Sequence, residues 1–140
     1  ALDTQFDFDL GLARSQTNDN PVYYVQYAYA RICSILKNAP KYHRQDEYTL
    51  LTTAKETDLL KHINEFTDTV NDCAVHRSPN KLCNYAQKLA GYFHSFYGSC
   101  KVIDETHPEL MNERLCLLEA TKITLKNCLE LLGIEAPEQM

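Results

Sequence analysis

Between Val22 and Leu36 the apolar side chains Val22, Val25, Ala28, Tyr29, Ile32 and Leu36 return at steps of three and four residues. At about 100° per residue these positions share one face of a helix, so the period predicts an amphipathic helix with that face turned to a core. Both ends carry chemistry that fits. Asn20 offers a side-chain oxygen to the free N–H groups of a first turn, and Pro21 suits the first helical position, where a missing N–H costs nothing. Asn38, Ala39 and Pro40 end the pattern.

The same reading extends along the chain. Leu59, Leu60, Ile63, Phe66, Val70, Cys73 and Ala74 predict a second helical stretch, with a break expected near Thr67. Ser78-Pro79 repeats the cap-then-proline signature and opens a helix through Leu82, Tyr85, Ala86, Leu89, Ala90, Phe93 and Phe96, stopping near Gly98. His107-Pro108 opens a long last helix carrying Leu110, Leu115, Leu118, Ile123, Leu125, Leu129 and Leu132, with Gly133 placed to close it. Lys41 to Tyr48 mixes charges without an apolar period and reads as a loop, and Val102 to Thr106 as a short link. Leu2 to Arg14 sets Leu2, Phe6, Phe8, Leu10 and Leu12 among Asp3, Asp7 and Asp9 with no single period, which predicts a connector holding a helical turn. The expected architecture is all-α, a bundle of about four to six helices over residues 20–140, four of them main, preceded by a connector over residues 1–19.

Composition narrows this further. A chain of 140 residues with 44% hydrophobic content can bury one substantial core and is too short for two ordinary domains. Four glycines and five prolines, with Leu, Ala, Lys, Glu and Gln recurring, favour helices over sheets. No run of about 18 apolar residues offers a membrane span, and Ala1, Leu2, Asp3 and Thr4 bring neither a basic segment nor an apolar signal core, so the chain reads as soluble and unexported. Six cysteines are scattered through helical patterns in a chain large enough to fold without crosslinks, which points to reduced thiols in a cytoplasm. A net charge of -5 works against extended phosphate binding, which rests on Lys and Arg.

Beside the apolar face of the first long helix, Tyr24, Tyr27 and Arg31 share a stripe. Two aromatic rings and a guanidinium suit single-stranded RNA, whose unstacked bases lie on aromatic faces. The same spacing fits tyrosines that bury their rings at a core margin and wet their hydroxyls. His94, Ser95, Phe96 and Tyr97 cluster late in the third long helix with no carboxylate or second base beside them, and read as packing. Cys73 and His76 have a spacing that zinc permits, yet no second Cys/His pair completes a site. With no Gly-rich phosphate loop, metal motif or triad, neither a catalytic nor a metal site is expected. Lys81, Lys88, Lys101, Lys122 and Lys126 could flank a groove or simply be solvated.

The run NPVYYVQYAYARI, Asn20 to Ile32, resembles the opening helix of the anticodon-binding domain of arginyl-tRNA synthetases. The likeness continues in family order through KETDLLKHINEF (Lys55 to Phe66), LAGYFHSFYGSCKVI (Leu89 to Ile103) and NERLCLLEATKITLKNCLELLGIEAPEQM (Asn112 to Met140). DFDLGLARSQTND, Asp7 to Asp19, is similar to the segment just after the signature loop of the family's catalytic domain. The resemblance implies the C-terminal, DALR-type domain of a class I, cytoplasmic, monomeric ligase that uses ATP and Mg to attach arginine to its tRNA. Its catalytic domain would lie upstream, leaving this fragment without a cofactor. It implies contact with the anticodon loop of arginine tRNA through Tyr24, Tyr27, Arg31 and Met140, with Gln26 and Lys101 as secondary candidates, and no partner in DNA or membrane. In those roles the phenols stack or hydrogen-bond, Arg31 meets a base edge or phosphate, and Met140 covers a base. Gly98 departs from the Asn common in the family after Phe-Tyr. The alternative is a helical interaction or assembly domain of a synthetase without RNA binding of its own.

Overall fold

The computed structural model describes residues 7–140. Of the connector expected over residues 1–19, residues 1–6, including Leu2 and Phe6, lie outside the described residues. The described chain forms six helices and no strand: α1 (Leu10–Arg14), α2 (Pro21–Asn38), α3 (Ala54–Asn64), α4 (Phe66–His76), α5 (Asn80–Ser99) and α6 (Pro108–Leu131).

Helix α2 starts where cap chemistry dictates. The Asn20 side-chain oxygen accepts from the N–H groups of Val22 at 3.1 Å and Tyr23 at 3.4 Å, and its amide donates to the carbonyls of Ala13 at 3.2 Å and Ser15 at 2.9 Å. One side chain thus caps α2 and holds the end of α1 against it. The short α1 buries nothing, and Phe8, Leu10 and Leu12 stand exposed around it.

Helix α5 runs through the middle and packs on α2, α3, α4 and α6. The core is made by Tyr29 and Ile32 of α2, Leu59 of α3, Leu89, Phe93 and Phe96 of α5, and Leu115, Leu118, Leu125 and Leu129 of α6, all essentially inaccessible. Each such side chain contributes roughly 1.5–3 kcal/mol on burial, which is why the α2–α5–α6 trio is the rigid frame on which surface groups are held.

Five expectations shift. Val22, read as core, is 42% exposed, because in the first turn of α2 it lies at the mouth of a shallow apolar groove with Pro21, Cys83 and Ile134. Leu60 and Ile123, also read as facing inward, are likewise exposed, at the rim of a second groove with Leu51. The break expected near Thr67 falls at Glu65, where the Tyr85 hydroxyl donates to the His62 carbonyl at 2.6 Å and so inserts a side chain into the α3 ladder. Ser78 does not cap α5. Arg77 closes α4 in the left-handed region at φ 50°, the Ser78 N–H is drawn back to the Cys73 carbonyl at 3.0 Å, and its hydroxyl donates to the His76 carbonyl.

The loop before α3 is ordered by polar groups of α6. Buried Glu113 accepts from the N–H groups of Thr49 and Leu50 at 3.1 and 2.9 Å, while Asn112 exchanges two hydrogen bonds with the His43 backbone. Glu56, fully buried, accepts from the Arg114 guanidinium at 2.7 Å and from the Thr53 N–H at 2.8 Å. Burial alone would raise its carboxyl pKa, but these donors hold it below the ordinary value. No buried side-chain nitrogen or oxygen among the described residues lacks a partner.

Candidate functional site

Along the margin of the core-facing side of α2 stand Tyr23, Tyr24, Tyr27 and Arg31, and α5 supplies the second wall. Because Phe93 and Phe96 point inward, the intervening turn of α5 lifts His94 and Tyr97 to the edge beside α2. The rings of Tyr23 and Tyr27 lie parallel within 11° at 6.2 Å between centroids. His94 stands 5.2 Å from Tyr24 and 6.1 Å from Tyr27, and its ring backs onto Phe93 at 4.9 Å. The Arg31 guanidinium lies over the Tyr97 ring at 5.2 Å, with one nitrogen 3.5 Å from the Tyr27 hydroxyl.

Electrostatics follow from this packing. Burial lowers the His94 pKa and the nearby Arg31 charge lowers it further, so the imidazole is neutral at pH 7. Burial raises the Tyr24 phenol, which stays protonated. The cluster is therefore a set of neutral, half-exposed rings with one fixed cation, able to stack flat apolar faces and offer a planar donor, but poor in the charge that a phosphate backbone requires.

The sequence-derived candidates divide accordingly. Tyr24, Tyr27 and Arg31 are brought together. Gln26 lies around the helix from Arg31, and its amide donates to the Glu135 carbonyl at 2.8 Å. Lys101 faces Asp104 at 3.2 Å, and its carbonyl accepts from Arg114. Met140 is 55% exposed at the end of the C-terminal segment, whose Glu138 and Gln139 line a cleft of about 460 Å³ with Ser34 and Lys37 of α2. Lys81 and Lys126 also face acids, Asp72 and Glu130, while Lys122 lines the same cleft as Lys37.

His94 and Tyr97, which read as packing in the sequence, join the tyrosine cluster. Their spacing of three on the flank of a Phe93/Phe96 core face could have shown that they share an edge; which helix meets that edge is a tertiary fact. Cys73 gains no ligand partner in His76, whose ring nitrogen instead faces the Asp72 carboxylate at 2.7 Å. Among the described residues no three His, Cys, Asp or Glu side chains gather as a metal-ligand set, and no helix is long and apolar enough to cross a membrane.

Comparison with known proteins adds an independent line. The profile of the DALR anticodon binding domain matches residues 25–140. An arginine–tRNA ligase of Anoxybacillus flavithermus is 47% identical over 99% of this chain and 26% of its own length. One from Shouchella clausii is 46% identical over the same shares. The arginyl-tRNA synthetase of Thermus thermophilus superposes with a TM-score of 0.80 at 33% identity, over 98% of this chain and 24% of its own. That of Plasmodium falciparum gives 0.82 at 31%, over 98% and 24%. The chain thus spans about a quarter of the length of the relatives it matches.

Proposed function

Since the chain belongs to the DALR anticodon binding domain family, we propose that it is the tRNA-reading part of an arginine–tRNA ligase and binds the anticodon loop of arginine tRNA. The observation that carries this reading is the joined set of half-exposed rings and one guanidinium on the α2–α5 edge. Bases splayed from a loop stack on Tyr27 and Tyr24, and Arg31, held by the Tyr97 face, donates to a base edge or phosphate. Met140 covers a base, and Lys101 provides a peripheral charge.

The ligase itself works in the cytoplasm as a monomer and takes ATP and Mg at a catalytic domain upstream, for which residues 1–19 serve as the connector. The exposed Phe8, Leu10 and Leu12 support that reading, since they leave apolar surface uncovered beside α1. With a net charge of -5 the domain holds RNA by stacking more than by phosphate contact, so its affinity alone is modest.

Titration of a fluorescent arginine-tRNA anticodon stem-loop with this chain tests the proposal, against a stem-loop changed at the middle anticodon base. Tighter binding of the unchanged loop is expected. Equal binding of the two, or none, would overturn anticodon reading by this domain and leave an assembly role.

A further inference from the structure

Beyond α6 the chain does not trail away but lies as a strap across α2. Gly133, at φ 69°, turns it, and the Ile134 N–H returns to the Leu129 carbonyl at 2.8 Å. The Ile134 side chain packs partly buried on the core and lines the apolar groove with Val22, Val25, Ala86 and Leu129. One residue on, the Gln26 amide donates to the Glu135 carbonyl at 2.8 Å, joining positions 109 apart in sequence. Farther along, Ala136 packs on the core, and Glu138 and Gln139 wall the cleft beside Ser34 and Lys37, in the turns of α2 beyond Arg31. Among the described residues, the Gln26 contact is the one hydrogen bond that ties residues 135–140 to the rest of the chain.

We propose that Gln26 is a positioning residue that acts on RNA through this strap: its amide latches the Glu135 carbonyl and so fixes where the last residues, Met140 included, stand beside α2. This rests on the RNA-binding reading above. The physical reason is entropic. Ile134 and Ala136 pack partly buried on the core, but the residues after Ile134 have no ladder of backbone bonds. Without the latch they sample many positions that a bound base must select among, and the apparent affinity falls with the competent fraction. A side-chain amide suits this task, because it donates to a carbonyl without adding charge to a surface that already carries Glu135 and Glu138.

The test is a cycle between Gln26→Ala and a chain ending at Ile134, read by stem-loop titration. Gln26→Ala alone should weaken binding by about two- to tenfold, the worth of one net hydrogen bond. In the chain ending at Ile134 the same substitution should change nothing further, because the strap it acts on is gone. An equal loss in both chains would mean that Gln26 touches RNA directly, and would overturn the proposal.

A second measurement needs no RNA. Amide ¹⁵N relaxation of Ala136, Glu138 and Met140 should show lower order parameters in Gln26→Ala than in the wild type, with α2 unchanged. Unchanged order in the strap would overturn the latch. If the wild-type chain binds no stem-loop, the RNA-binding reading and the RNA role of Gln26 fail together, whereas the relaxation result still decides whether the latch exists.

Discussion

Replacing Glu56 with Ala should cost more stability than any single surface change in this chain. The carboxylate is inaccessible, accepts from the Arg114 Nε at 2.7 Å and from the Thr53 N–H at 2.8 Å, and completes a capping box at the start of α3. Its removal leaves a guanidinium that is 11% exposed with its Lys101 carbonyl bond at 2.9 Å and no counter-charge. Stranding one partner of a buried pair costs about 3–5 kcal/mol, and the lost cap lies within that range. For a domain of this size the melting temperature should fall by about 10–15 °C.

Urea unfolding followed by far-ultraviolet circular dichroism gives the free energy. The double variant Glu56→Leu/Arg114→Met should recover much of the loss, because an apolar pair of similar volume strands no charge. Acid adds a sign. The Glu56 carboxyl is held below its ordinary value of 4.5, so its contribution is present above that value and lost as pH falls through the lower folded one. The wild type should therefore lose its advantage over Glu56→Gln on acidification below pH 4.5. A cost under about 1 kcal/mol for Glu56→Ala, or a double variant as unstable as the summed singles, would refute the buried-pair argument.

Other outcomes follow from the same geometry. Arg31→Ala should weaken anticodon stem-loop binding by about tenfold, and Arg31→Lys should restore it only in part, since an ammonium neither stacks flat on Tyr97 nor donates as a planar fork; wild-type binding by the Ala variant would remove the role assigned to Arg31. His94, whose folded pKa lies below 6.5, is matched to its site when neutral, so stability is full above pH 6.5 and falls as pH drops below it; His94→Phe should flatten that slope in unfolding curves taken between about pH 7.5 and 5. Leu118→Ala, in a fully enclosed position, should cost about 2–5 kcal/mol by urea titration. Arg77→Gly should stabilise by about 0.5–1 kcal/mol, because φ 50° is costly for a residue with a Cβ and free for glycine; a loss of stability would show that Arg77 makes a compensating contact.

Much of this protein is local, and so was legible in the chain. The period of three and four places Ala28, Tyr29 and Ile32 on one face, and Asn20-Pro21 and Gly133 mark helix ends, because capping groups act within a few residues of where they stand. The stripe of Tyr24, Tyr27 and Arg31 is equally a consequence of helical geometry. What the chain could not announce depends on which surface meets which. Val22 has the right period and is exposed, since the neighbouring helices close over the middle of α2 and leave its first turn at a groove mouth. The helix breaks at Glu65 because Tyr85, on another helix, donates into it. His94 and Tyr97 become part of the tyrosine cluster, and Gln26 becomes a tie to Glu135, only because α5 and the C-terminal strap pack on opposite flanks of α2. Hydrophobic period specifies which face is buried; the complementary shapes of packed side chains decide what lies against it, and no window of sequence contains both partners.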